Sequence, residues 1–267
     1  MMQRLCGKKL TNRALPGALC SVFLCSFLWW AQDSFAAIPL ITDDTGTQGK
    51  GKFQLEFFGE YASDRDEAFT NKNSTFSATL TYGILNPVDL ILTVPYESWR
   101  AEGPASMEKA DGLGDVLIET KWRFYEKNGF SFALKPGFTI PTGSDEKGLG
   151  TGRMTYRLFV IASKKMNPWA FHLNLAYIRN ENKEDDRKDI WRASFAATVD
   201  VMKDLKLVAD VGVETNNESF SKTPPAYVLG GIIWSLRENL DLGLGIRGGL
   251  TKAEPDVAVR GGITWRF

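Results

Sequence analysis

The chain has one histidine, His172, and three cysteines, Cys6, Cys20 and Cys25, among 267 residues. No Cys-x-x-Cys pair occurs, so the sequence offers no zinc site, and no metal or other cofactor is expected. It also lacks any excess of charge, with 32 Lys+Arg against 32 Asp+Glu. A nucleic-acid partner, which needs a basic surface to displace counterions, is therefore excluded. Beyond the first 36 residues no run of 18 apolar residues exists, which excludes a transmembrane helix. What is present is abundant glycine (25) and aromatics (12%) with a mean hydropathy of −0.19. That combination fits an all-β soluble domain or a membrane barrel.

Arg4, Lys8, Lys9 and Arg13 form a basic start, with no acid before Asp33. An uncharged apolar stretch follows over 14–31, and Ser34-Phe35-Ala36 supplies small residues at the two positions a signal peptidase reads. Residues 1–36 are expected to be a signal peptide cleaved after Ala36, with Ala37 as the near alternative. Cleavage removes all three cysteines, four basic residues and one acid, leaving 28 basic against 31 acidic residues, a net −3. Residues 37–51 are expected to form a periplasmic segment, too short for the plug of an energy-coupled receptor. Within it Asp43, Asp44 and Thr45 read as a capped turn; binding a cation or folding into the lumen is the other reading.

From residue 52 onward the sequence alternates with period 2. Phe53, Leu55, Phe57, Gly59 and Tyr61 share one face, and the pattern recurs at 76–84, 90–96, 116–124, 130–140 and 154–162. It continues at 169–177, 191–199, 205–213, 226–234, 240–248 and 257–267. These twelve segments have the length a tilted strand needs to cross a bilayer. Connections after even segments are short (85–87, 126–129, 164–168, 201–204, 237–239). Those after odd segments are longer and polar (62–73, 100–113, 142–153, 180–189, 215–224, 251–256). The expected fold is all-β: a twelve-stranded antiparallel transmembrane β-barrel of the outer-membrane type over residues 52–267, with short periplasmic turns.

The apolar faces of these segments carry no charge. The opposite faces carry acids (Glu56, Glu60, Asp89, Asp115, Glu119, Asp200, Asp210, Glu214, Asp241) and as many bases (Lys121, Arg123, Lys135, Arg157, Arg192, Lys206, Arg247, Arg260, Arg266). Such groups require a hydrated, mutually paired lumen. Phe58, Ile91, Phe159 and Ile178 interrupt this inward polar face and offer contact to an aromatic ring. Segment 226–236 is apolar in both phases, and Trp234 is assigned outward. Tyr61, Phe76, Tyr96, Tyr156, Tyr177 and Trp191 fall at the long-loop ends; Phe53, Tyr82, Trp122, Phe130, Trp169 and Trp265 fall at the short-turn ends. Two aromatic belts at two interfaces are expected.

The chain ends Gly-Ile-Thr-Trp-Arg-Phe, and Phe267, Trp265 and Ile263 on one face resemble the signal read by the barrel-assembly machinery. Ile-Thr-Asp-Asp-Thr-Gly-Thr-Gln-Gly-Lys-Gly at 41–51, Gly-Leu-Gly-Asp-Val at 112–116 and Lys-Pro-Gly-Phe-Thr-Ile-Pro-Thr-Gly at 135–143 resemble the family named for a MetA pathway of phenol degradation. The resemblance implies a Gram-negative outer-membrane barrel passing small aromatic or hydrophobic compounds, and it carries over no site residues.

Other features are weighed on their chemistry. His172 is the one residue on which a Ser–His hydrolase could rest; it falls on the inward phase near the short-turn end, which argues against an enzyme. Gly148, Gly150 and Gly152 lack the Lys-Ser/Thr and helix of a phosphate loop. Asp64, Asp66, Glu67, Glu181, Glu184, Asp185 and Asp186 fit a solvated loop surface, or divalent-ion bridges to lipopolysaccharide. Pro136 removes a ladder donor inside a strand, where a kink or bulge would narrow the lumen. The expected function is an outer-membrane channel for small molecules, with outer-membrane lipid, lipopolysaccharide and the assembly machinery as partners. A nucleoside or sugar porin, or a structural or adhesive barrel, is the alternative. The lumen-facing candidates are Glu56, Phe58, Glu60, Glu119, Lys121, Arg123, Arg157, Phe159, His172, Arg192, Asp210, Glu214, Arg247 and Arg260.

Overall fold

A computed structural model describes residues 38–65, 70–103 and 107–267. The expected signal peptide, Ala37, Asp66 and Glu67 lie outside these. In chain order the strands are β1 (Phe53–Arg65), β2 (Thr70–Leu85), β3 (Val88–Glu102), β4 (Met107–Leu113), β5 (Val116–Lys127), β6 (Phe130–Ile140) and β7 (Tyr156–Met166). They continue as β8 (Trp169–Arg179), β9 (Asp189–Met202), β10 (Leu205–Glu214), β11 (Ala226–Arg237), β12 (Leu240–Gly249) and β13 (Val257–Arg266). Consecutive strands pair antiparallel except β4 and β5, and β1 pairs with both β2 and β13, so the sheet closes. β4 and β5 both run along β3, opposite Tyr96–Glu102 and Val88–Thr93, and act as two halves of one stave interrupted at Gly114–Asp115. The result is a closed twelve-stave antiparallel barrel.

Side-chain exposure follows the period of 2. Along β8, Trp169, Leu173 and Leu175 are exposed while Ala170, His172, Asn174 and Ala176 are buried. The exposed set is large and apolar while the buried set combines alanine with polar His172 and Asn174, the reverse of a soluble barrel. Trp234 is outward as expected. β11 is apolar on both faces because Leu229 and Ile233 join Val208 and Tyr227 in an interior cluster against Leu40 and Ile41. Neighbouring aromatic rings pack at both ends, as in Tyr177–Trp191 and Trp169–Phe171.

Two expectations about connections need correction. The loops expected at 62–73 and 100–113 are mostly strand: β1, β2, β3 and β4 extend the wall at the long-loop end. Their apolar alternation fades there because residues such as Arg100 and Lys109, paired across strands, carry charge. Pro136 does interrupt the ladder: pairing passes from Glu119–Gly137 to Trp122–Leu134 in unchanged register. No bulge forms at that point; the shift lies farther on, between Arg123 and Tyr125. The short turns behave as read, with Asn128 (φ 51°) and Gly129 (φ 76°) both left-handed in the β5–β6 hairpin, where Asn-Gly suits the geometry.

Candidate functional site

Residues 38–51 do not form a turn outside the barrel. They enter at the short-turn end and cross the lumen from the β2–β3 wall to the β10–β13 wall. Thr47 Oγ1 donates to Asn86 O at 2.8 Å, and the Gln48 N–H donates to Asp89. Thr45 contacts the hydroxyls of Ser163 and Ser131. The Asp43 N–H donates to Asn174 Oδ1, and Asn174 Nδ2 donates back to Asp43 O, both at 2.7 Å. The N–H groups of Ile41 and Thr42 converge on Asp210 Oδ2 at 2.8 Å, while Thr42 Oγ1 donates to Asp210 Oδ1. The expected cap is present, with Asp44 Oδ1 accepting from the Gly46 N–H at 2.7 Å, but the periplasmic position expected for it is corrected: the segment folds into the lumen, the other reading. The remaining partners come from the inner faces of β5, β6, β7, β8 and β10, which include the acceptors for the N–H groups of Ile41, Thr42, Asp43 and Thr45.

The cation-binding reading of Asp43 and Asp44 fares no better. Lys121 and Lys135 each place Nζ 2.8 Å from an Asp43 carboxylate oxygen, and Lys121 also donates to Asp44 O at 3.1 Å. The cations are supplied by the barrel wall. Small residues make room for the segment. A Cβ on Gly243 would lie 1.8 Å from Ile38 O, and one on Gly83 would lie 1.9 Å from Gly49 O. These inner-face glycines were the signal in the sequence for a chain lying against the wall.

Above the segment, toward the long loops, lies a cavity of about 240 Å³ with Ile41 in its lining. Its charged groups are Glu60, Glu214, Glu254, Arg192, Arg247 and Arg260. Arg247 bridges Glu60 (2.8 Å) and Glu254 (2.5 Å); Arg260 reaches the other oxygen of Glu60 at 3.2 Å; Arg192 pairs with Glu214. Phe58 and Tyr227 add aromatic faces, with the Arg260 guanidinium 4.8 Å from the Phe58 ring centre. Glu254, on the β12–β13 loop, was not anticipated; burial pushes its carboxyl above the ordinary value against the pull of Arg247.

The remaining candidates take other places. Glu56 accepts from Thr264, Glu119 sits 3.7 Å from Lys135, and Lys135 lies over the Phe159 ring. Arg123 reaches Glu126 near the short-turn rim, outside both groups. Arg157 makes no ion pair or hydrogen bond among the described residues, and its Nε is buried. Glu119 lies across Gly137 from it, and the two interact by charge without a direct ion pair, so pairing of the lumen charges is indirect there. His172 is buried with Nδ1 2.9 Å from Ser163 Oγ, while Nε2 has no partner. Among the described residues no third group orients the ring, and the serine lies under Thr45, so this pair lacks the geometry of a hydrolase. Asp115 accepts from Gly143 and Thr151 and organises the 141–153 loop.

At the seam, Phe53 and Phe267 exchange backbone hydrogen bonds of 2.8 and 2.9 Å, and their rings stack. Ile263, Trp265 and Phe267 are all exposed on the outer face.

Residues 39–267 match the family model described as "Putative MetA-pathway of phenol degradation". The chain belongs to that family. No curated protein matches it. Among solved structures, this family member is similar to the COG4313 outer membrane channel from Pseudomonas putida F1, with a TM-score of 0.69 and 14% identity. The match covers 84% of this chain and 98% of that one. The KdgM porin follows at TM-score 0.56 and 8% identity, covering 80% and 99%. The translocator domain of the autotransporter NalP from Neisseria meningitidis gives 0.51 and 11%, covering 82% and 89%. At such identities the likeness establishes the outer-membrane barrel fold.

Proposed function

We propose that the chain is an outer-membrane channel for small molecules, aromatic or hydrophobic compounds above all, and not an enzyme. The observation that carries this reading is an open cavity whose floor is held by side chains. The cavity lies at the long-loop end, and the segment beneath it is held over 41–48 by wall side chains rather than by a strand ladder. Such a segment can shift without breaking the barrel, and its displacement joins the cavity to the short-turn side. The family name and the channel and porin neighbours support the same reading. The apolar contacts Ile41, Phe58 and Tyr227 favour a ring over a sugar.

The test uses liposomes that contain the mature barrel and two lipid-impermeant solutes of similar size, phenylalanine and glucose. Swelling should be faster with phenylalanine. Asp43→Asn removes the carboxylate shared by Lys121 and Lys135, a buried pairing whose loss costs about 3 kcal/mol, and should raise swelling with both solutes several-fold. A correctly folded barrel that admits neither solute, with or without this substitution, contradicts the channel reading.

A further inference from the structure

We infer that the long-loop cavity is a binding site for a small aromatic acid: one ring bearing one carboxylate. The inference rests on the channel reading and names its solute class. Net charge does not decide the matter, since three glutamates face three arginines. Hydrogen-bonding capacity does. A carboxylate only accepts, and a guanidinium offers five N–H donors in a fixed fork. Both oxygens of Glu60 are already engaged, one by Arg247 and one by Arg260. Glu254 and Glu214 each hold an arginine as well. Glu214 and Glu254 are engaged through one oxygen each, but every acid already has an arginine counter-charge, which leaves no unpaired negative charge to draw a cationic ligand.

The donors, in contrast, are in surplus. The Arg260 guanidinium forms one ion pair, through Nη1, and no other ion pair or hydrogen bond among the described residues. The missing component is an acceptor, and a planar carboxylate matches the guanidinium fork better than a hydroxyl does. Shape and surface supply the rest. About 240 Å³ corresponds to roughly eight waters at their liquid share, enough for a single-ring acid and too little for an oligosaccharide. The ring has Phe58, Tyr227 and Ile41 to lie against, and the Arg260 guanidinium already stands over Phe58.

Calorimetry on the refolded mature barrel tests this, with benzoate, benzylamine and glucuronate as probes and detergent alone as blank. Benzoate should bind at least tenfold more tightly than either of the others at neutral pH. The double substitution Glu60→Gln/Arg260→Gln removes the ion pair as a unit and should weaken benzoate at least tenfold. Phe58→Leu, which leaves every charge in place, should weaken it several-fold. Benzylamine or glucuronate binding as well as benzoate overturns the inference, as does benzoate binding that neither variant changes. Conductance separates the two readings. A barrel that conducts but ignores benzoate overturns this site and leaves the channel standing, whereas one that binds benzoate and never conducts overturns the channel alone.

Discussion

Leu173 and Asn174 are adjacent in β8, yet one is 44% exposed and the other 2%. An arginine at Leu173 would face the bilayer core and should lower barrel stability by roughly 2–4 kcal/mol. Asn174 is a different kind of position, because its amide clasps Asp43 from both sides. Asn174→Ala should leave the barrel's unfolding midpoint close to wild type and instead expose residues 38–51 to protease. Unfolding in detergent and limited proteolysis of the two variants distinguish the effects; equal loss of barrel stability would show that the inside–outside assignment is wrong. The inward phase of Asn174 was readable from the alternation alone. That it holds a chain segment was not, because a polar residue facing water and one facing a backbone look the same in sequence.

Among the elements, the membrane-spanning parts of the strands were readable because burial in lipid imposes a strict period of 2. The extension of β1–β3 and the whole of β4 were not, since a strand standing above the membrane has no apolar face to display. The loops at that end are also more ordered than their composition implies. Trp99 donates to Lys147 O, and Lys183 pairs with Asp145 at 2.7 Å, clasping the 141–153 loop to the 180–188 loop. The hydrogen bond from Lys183 holds the Asp145 carboxyl below its usual 3.8. A depressed carboxylate stabilises the clasp above the unfolded value and ceases to do so as pH falls through the folded one. Proteolysis at Lys183 by an acid-active protease should therefore rise below about pH 4 in wild type and be pH-independent over the same interval in Asp145→Asn. A wild-type profile as flat as the variant's would exclude the clasp.

For the whole molecule, strand number, antiparallel closure and the polar interior all followed from the sequence, because every stave repeats the same physical constraint. The filling of the interior was open in the sequence only as the second reading of Asp43, Asp44 and Thr45. Residues 41–51 are one of the three stretches that carried the family resemblance, but a short run of Thr, Asp and Gly is equally compatible with a turn, and only the convergence of Lys121, Lys135, Asn174 and Asp210 gives it a path. Closure of the barrel makes a second prediction. Phe267→Ala keeps the backbone exchange with Phe53 and removes only the outer ring, so refolding in detergent should be nearly unchanged while insertion in cells falls. Equal insertion of variant and wild type, read by heat-modifiable migration of membrane fractions, would remove Phe267 as an assembly signal.

The central claim is that residues 38–51 close the lumen and must move for solute to pass. Thr45 Oγ1 and Ser131 Oγ are in hydrogen-bond contact, and residues 37–267 contain no cysteine. Thr45→Cys/Ser131→Cys therefore introduces a single thiol pair between the segment and β6. Single-channel conductance of that variant in planar bilayers should be at least tenfold lower when the disulfide is formed than after reduction, and the reduced protein should conduct like wild type. Identical conductance in the two states, with the disulfide verified by mass, would contradict the account.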